Sequence, residues 1–117
     1  MVTKISTTKI EQGDIVLINF SPTKGHEQDG VRPALVISSN NYGHLMGSLV
    51  MVMPISRTEK EFPTHVPLST KNGKVTGSVL TQQLRTFDAI KRNMKTIDKA
   101  TPETVARCKE MYKSFIE

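Results

Sequence analysis

The sequence has no tryptophan, only one cysteine, four phenylalanines and two tyrosines among 117 residues, and nowhere the ~20 consecutive apolar residues of a membrane-spanning helix. A lone cysteine forms no internal disulfide, so the fold must rest on its own core, and a reducing, cytoplasmic setting is expected. So few aromatic rings leave little material for extensive base stacking. Met1 to Gln12 is polar, with Lys4, Thr7, Thr8, Lys9 and Glu11, and reads as an N-terminal tail rather than an export signal or membrane anchor. His26, His44, His65 and Cys108 lack metal-ligand spacing, no phosphate-binding glycine fingerprint precedes a helix, and no serine sits in a nucleophile-elbow pattern. No metal or cofactor is therefore expected. Positive charge is in surplus: 16 lysines and arginines against 11 acidic residues, a net +5 and a pI near 9.5. That balance favours a polyanionic partner, either nucleic acid or an acidic protein segment.

The length suits one domain, placed at residues 13–117. Asp14-Ile-Val-Leu-Ile-Asn-Phe20 is rich in β-branched and aromatic residues and bounded by Gly13 and Ser21-Pro22, which predicts a buried strand. The pattern recurs at Pro33–Ser39, Ser48–Ile55, Thr64–Leu68 and Gly77–Gln83, so five short strands without intervening helices are expected, in a small barrel or sandwich. Asn40-Asn41-Tyr42-Gly43 reads as a turn and Asn72-Gly73 as a tight hairpin. Thr101 followed by Pro102 starts a terminal helix, with Val105, Cys108, Met111, Tyr112 and Phe115 on the face that packs on the sheet.

Ser21 to Arg32 is long for a connection and dense in charge, with Lys24, His26, Glu27 and Arg32 beside two glycines. Cleaving RNA through its own 2′-hydroxyl needs a proton acceptor, a cation for the non-bridging oxygens and a donor to the departing 5′-oxygen. Glu27 or His26, Arg32 and a hydroxyl meet those needs. The guanidinium of Arg32 matches two phosphate oxygens, and Pro33 restricts its backbone to extended forms. His26 has both protonation states within reach near neutrality, whereas Lys24 and Arg32 work to lower the pKa of Glu27. Ser56 stands at the end of a predicted strand, where a serine is ordinarily a turn residue. Phe62-Pro63-Thr64-His65 offers a stacking surface, but a phenylalanine entering a strand is expected in the core.

Gly13-Asp14-Ile15, Pro22-Thr-Lys-Gly-His-Glu-Gln28, Gly30-Val-Arg-Pro-Ala34 and Val50-Met-Val-Met-Pro-Ile55 together resemble the MazF/PemK family of toxins. The likeness continues through Phe62-Pro-Thr-His-Val66 and Gln83-Leu-Arg-Thr-Phe-Asp88 to the terminal helix. The resemblance implies a mainly β, SH3-like barrel with a C-terminal α-helix, a homodimer, and metal-independent, sequence-specific cleavage of single-stranded mRNA. The products would carry a 2′,3′-cyclic phosphate and a 5′-hydroxyl. It also implies a cognate antitoxin, with operator DNA bound only through the antitoxin complex. Residue by residue, Arg32 matches the family's catalytic arginine and Ser56 the place of a catalytic threonine, while His26 and Glu27 match assisting positions. Gln82 replaces an aspartate common in the family and Leu80 an arginine of one branch, so Gln82 is assigned to RNA binding with Lys24, Arg85 and Arg92. Two alternatives are a non-cleaving relative and a CcdB-like toxin that binds gyrase. The latter type relies on a C-terminal Trp-Gly-Ile, and this chain ends Ser114-Phe-Ile-Glu117.

Overall fold

The run from Asp14 carries apolar side chains to both sides of a sheet, and it forms β1 (Asp14–Asn19) in a computed structural model that describes residues 9–21, 30–57 and 62–117. The other strands are β2 (Val31–Val36), β3 (Leu49–Ser56), β4 (His65–Pro67), β5 (Ser78–Leu80), β6 (Arg85–Asp88) and β7 (Lys95–Lys99). The described residues also form the helices α1 (Asn40–Met46) and α2 (Pro102–Ser114), with a 3-10 turn at Thr81–Gln83. All the pairings are antiparallel, in the order β4-β5-β3-β2-β1-β7, and β6 pairs with the first half of β3 while β5 pairs with its end. Beyond β4 the chain meets the far edge, where Thr70 bridges Ala100 and the Thr101 N–H donates to the Ser69 carbonyl. The two edges thus come round to each other in a barrel-like, mainly β fold with a C-terminal helix.

Alternation along β2 and β3 divides the core in two. Ile15, Leu35, Met53, Ile55, Val66, Val79 and Cys108 form one cluster, and Val16, Ile18, Phe20, Ala34, Val36, Val50, Val52 and Phe87 form the other. Each fully buried Ile, Leu or Val removes enough apolar surface from water to contribute about 1.5–3 kcal/mol, so β1 to β3, buried on both faces, anchor the fold.

Several expectations are corrected. Among the described residues seven strands form rather than five, because β6 and β7 carry too few apolar residues to signal themselves. β7 is held instead through Asp98, only 4% exposed, whose carboxylate accepts from the N–H groups of Asn72, Lys74 and Lys99. Asn72-Gly73 is consequently not a two-residue hairpin but part of a ten-residue connection docked on that carboxylate. The expected turn at Asn40 is the short helix α1, capped by the Ser39 hydroxyl accepting from the Tyr42 N–H and ended at Gly47 with φ of 70°. α1 buries no side chain, so it leaves no periodic apolar trace. The strand expected through Gln83 stops at Leu80, where the chain coils into the 3-10 turn.

At α2 the cap forms as read, the Thr101 hydroxyl accepting from the Thr104 N–H at 3.3 Å. Cys108 is buried, and Val105, Met111 and Tyr112 pack half-buried on the first cluster. Phe115 departs from the expected face: it sits at the helix end, 43% exposed, edge-on to Tyr112. Of the N-terminal stretch, Ile10 packs on the second cluster and the Gln12 side chain donates to the Ile37 carbonyl.

Candidate nuclease site

Arg32 lies on a strand rather than in the loop. Pairing with β1 draws it in, setting it opposite Ile18, while the Phe20 N–H donates to the Gly30 carbonyl. On its other side β2 pairs with β3 as Ala34↔Pro54, Leu35↔Met53 and Val36↔Val52. Both strands run beyond the last of these pairs, β2 through Arg32 and β3 to Ser56, and the end of β3 pairs with β5 as Ile55↔Val79 and Ser56↔Ser78. Side chains alternate along a strand, so Arg32 takes the side of Ala34 and Ser56 that of Val52. Arg32 is exposed and Ser56 is 7% exposed, a guanidinium open to solvent on one strand and a hydroxyl in the floor of the next.

Ser56 is held from below by a residue the sequence reading did not mark as functional. It pairs with Ser78, and the preceding Gly77 has φ of 132°. A Cβ at position 77 would lie 2.1 Å from the Ser56 carbonyl oxygen and 3.3 Å from the Arg57 Cα. Only a residue without a side chain admits this approach. A glycine just before a short apolar strand, Gly77-Ser78-Val79-Leu80, was the available signal.

Gln82 is exposed on the 3-10 turn. The Thr64 hydroxyl donates to its Oε1 at 2.9 Å, and its Nε2 lies 3.4 Å from His65 Nε2. The Thr81 hydroxyl donates in turn to the Thr64 carbonyl, fixing that corner. Phe62, expected in the core, is 56% exposed, with its ring 5.3 Å from the His65 imidazole.

Arg85 faces Val52 across β3 and β6 and so joins the same side as Ser56. Its guanidinium carbon stands 4.7 Å from the centre of the Phe87 ring, and its Nη1 is closed off from solvent without a hydrogen-bond partner among the described residues. Arg92 lies 4.7 Å from the centre of the same ring. Its Nη1 donates to the carbonyls of Asn19 at 2.9 Å and Ser21 at 2.6 Å. Arg92 therefore ties down the exit of β1, an occupation that the expected RNA contact did not anticipate. The Gly30 N–H donates to the Ser21 hydroxyl, so both ends of the charged connection are held together. Lys24, His26 and Glu27 lie outside the described residues.

Burial pushes the Cys108 thiol up to about 12, against the weaker opposing charge of Arg107, and it is no nucleophile. Asp88 is held below the usual carboxylate range by the N–H groups of Lys91 and Ile90 and the Ser48 hydroxyl, and it serves its turn rather than the site. Among the described residues, no three His, Cys, Asp or Glu side chains converge as a metal site.

A family model described as "PemK-like, MazF-like toxin of type II toxin-antitoxin system" matches residues 11–116. Endoribonuclease toxin ChpB of Escherichia coli (strain K12) is 38% identical over 105 residues, covering 86% of this chain and 89% of the relative. The crystal structure of MazF (Form-I) from Deinococcus radiodurans superposes with a TM-score of 0.82 at 31% identity, over 92% of this chain and 96% of that one. A MazE-MazF structure (Form-III) from the same organism gives a TM-score of 0.77 at 28% identity, over 92% and 95%.

Proposed function

The chain belongs to the PemK-like, MazF-like toxin family of type II toxin–antitoxin systems, and from that premise we propose that it is an endoribonuclease cutting single-stranded mRNA at specific sequences without a metal ion. The 2′-oxygen of the nucleotide before the cut attacks phosphorus, the bond to the 5′-oxygen breaks, and the products carry a 2′,3′-cyclic phosphate and a 5′-hydroxyl. Arg32 neutralises the non-bridging oxygens as charge builds on the phosphorane. Ser56 hydrogen-bonds the reacting phosphate. His26 and Glu27 receive the 2′-hydroxyl proton and return one to the 5′-oxygen. Gln82 has no carboxylate and binds RNA instead, with Lys24 and Arg85 adding positive charge, while Arg92 acts by holding the root of the loop that carries residues 24, 26 and 27.

The observation that supports this reading is the antiparallel pairing of β2 with β3, two neighbouring strands whose ends carry Arg32 and Ser56. The chain works in the cytoplasm as a homodimer, is neutralised by a cognate antitoxin, and meets operator DNA only through that complex. MazF of Deinococcus radiodurans has been solved together with MazE, which supports the antitoxin assignment. The test is cleavage of a long transcript in the presence of chelator, with the new ends mapped. Arg32→Ala is expected to lower turnover about 100- to 1000-fold, the usual cost of one preorganised donor. Near-normal cutting by a folded Arg32→Ala protein would overturn the assignment.

A further inference from the structure

We propose that Asp98 is a positioning residue for the cleavage reaction: through the connection 68–77 it holds Gly77, and with Gly77 the hydroxyl-bearing Ser56, in a fixed place. The inference rests on the RNA-cleaving function above. Asp98 stands on β7, at the sheet edge opposite β4 and β5, and is 4% exposed. A carboxylate closed off from water is costly unless donors surround it. Its Oδ1 accepts from the N–H and the side-chain amide of Asn72, both at 3.1 Å, and from the Lys99 N–H at 2.7 Å. Its Oδ2 accepts from the Lys74 N–H at 2.9 Å. One of these donors belongs to β7 and three to the connection, so the carboxylate ties two segments together. An apolar contact at this place would let the connection slide, whereas bonds to a charged acceptor set both distance and angle.

The connection has an outgoing and a returning limb. Backbone groups fasten the outgoing limb to the end of β7 and the start of α2: the Ser69 carbonyl accepts from the Thr101 N–H, the Lys71 N–H donates to the Lys99 carbonyl at 2.7 Å, and Thr70 bridges Ala100. The returning limb leaves Asn72, meets Asp98 again at Lys74 and inserts Val75 into the first core cluster. It ends at Gly77, whose carbonyl accepts from the Leu68 N–H at 3.0 Å. From Lys74 to Gly77 is at most about 10 Å of chain. Gly77 then passes so close to the Ser56 carbonyl that no Cβ fits between them, and the next residue, Ser78, pairs with Ser56. A shift of the returning limb therefore reaches Ser56 through backbone in contact with backbone, and close packing leaves no flexible side chain to absorb it.

The test is a double-mutant cycle in the full chain, Asp98→Ala, Ser56→Ala and the two together, read by transcript cleavage below the melting temperature of each variant. Amide hydrogen exchange of the free protein is the second readout. Asp98→Ala is expected to lower kcat about 10- to 100-fold, the cost of a reacting group displaced by about an ångström, with KM within about twofold of the parent. Asp98→Asn keeps the shape and one acceptor oxygen, is expected to recover part of that loss, and replaces the alanine variant in the cycle if the latter does not fold. In the Ser56→Ala background the Asp98 substitution is expected to cost nothing further, since its effect passes through a hydroxyl already removed. Exchange is expected to quicken at residues 72–78 and at Ser56 by more than the loss of global stability, which the slowest amides of β1 and β2 report. Losses that multiply, wild-type kcat in a folded Asp98→Ala protein, or exchange at Ser56 that only follows the global change would overturn the proposal. If Ser56→Ala cuts like the parent, the proposal falls together with the role of Ser56, and that of Arg32 is untouched. If the parent cuts no RNA, the nuclease reading falls, while the exchange arm still decides whether Asp98 holds Ser56.

Discussion

Replacing Gly77 with alanine would introduce two separate faults. The first is conformational: φ of 132° is a region that residues with a Cβ rarely enter, at a cost of about 1–3 kcal/mol. The second is steric, because the new methyl would start 2.1 Å from the Ser56 carbonyl oxygen and must push backbone, not a flexible side chain, by about an ångström. Overpacking of this kind costs another ~1–3 kcal/mol. We expect Gly77→Ala to lose about 2–6 kcal/mol against a typical domain stability of ~5–15 kcal/mol, and to melt roughly 8–24 °C lower. Gly73→Ala is the control, since Gly73 also has positive φ, 67°, but nothing lies within 4 Å of its would-be Cβ. It should lose only about 1–2 kcal/mol. Urea unfolding of both variants gives the stability difference. Transcript cleavage, measured cool enough that each is folded, gives the second readout: Gly77→Ala should drop kcat at least about tenfold as Ser56 moves, a misplacement of the size known to cost up to ~100-fold, while Gly73→Ala should not. Equal stability of the two variants together with wild-type kcat in Gly77→Ala would refute the argument that Gly77 seats Ser56.

Two further predictions concern the frame and the arginines. Burial works to raise the Asp98 pKa but is outweighed by donation from the N–H groups of Lys74, Lys99 and Asn72 and the Thr70 hydroxyl, which hold it at about 2. A carboxyl with a depressed folded-state value stabilises above the unfolded value of ~3.9 and loses that contribution as pH falls toward 2. Asp98→Asn should therefore melt lower than the parent at pH 7, with the difference shrinking between pH 4 and 2; a constant difference across that window would rule out the linkage. Arg92→Ala should cost about 1–3 kcal/mol through its two lost carbonyl partners, yet leave the slope of log affinity against log salt nearly unchanged. A slope shallower by close to one unit would instead make Arg92 a phosphate ligand.

What the chain order alone determined follows from periodicity and turn chemistry. The apolar runs at Asp14, Pro33 and Ser48 can hardly avoid being central strands, and Thr101-Pro102 begins a helix whichever way the rest folds. The residue types between Lys24 and Arg32 suggest a chemistry before any geometry is known. Tertiary structure decided the remainder. β6 and β7 exist because neighbouring strands and the Asp98 carboxylate complete them, and no local preference announces that. Phe62 stays at the surface although its type suggested the core, and Arg92 turned out to hold backbone carbonyls 71 and 73 positions away in sequence. The pairing of β2 with β3, whose ends carry Arg32 and Ser56, and the glycine 21 residues further on that lets Ser56 lie where it does, are relations between distant segments. Such relations are chosen by how whole strands pack, since a slip of one residue would have sent each of these side chains to the opposite face of the sheet.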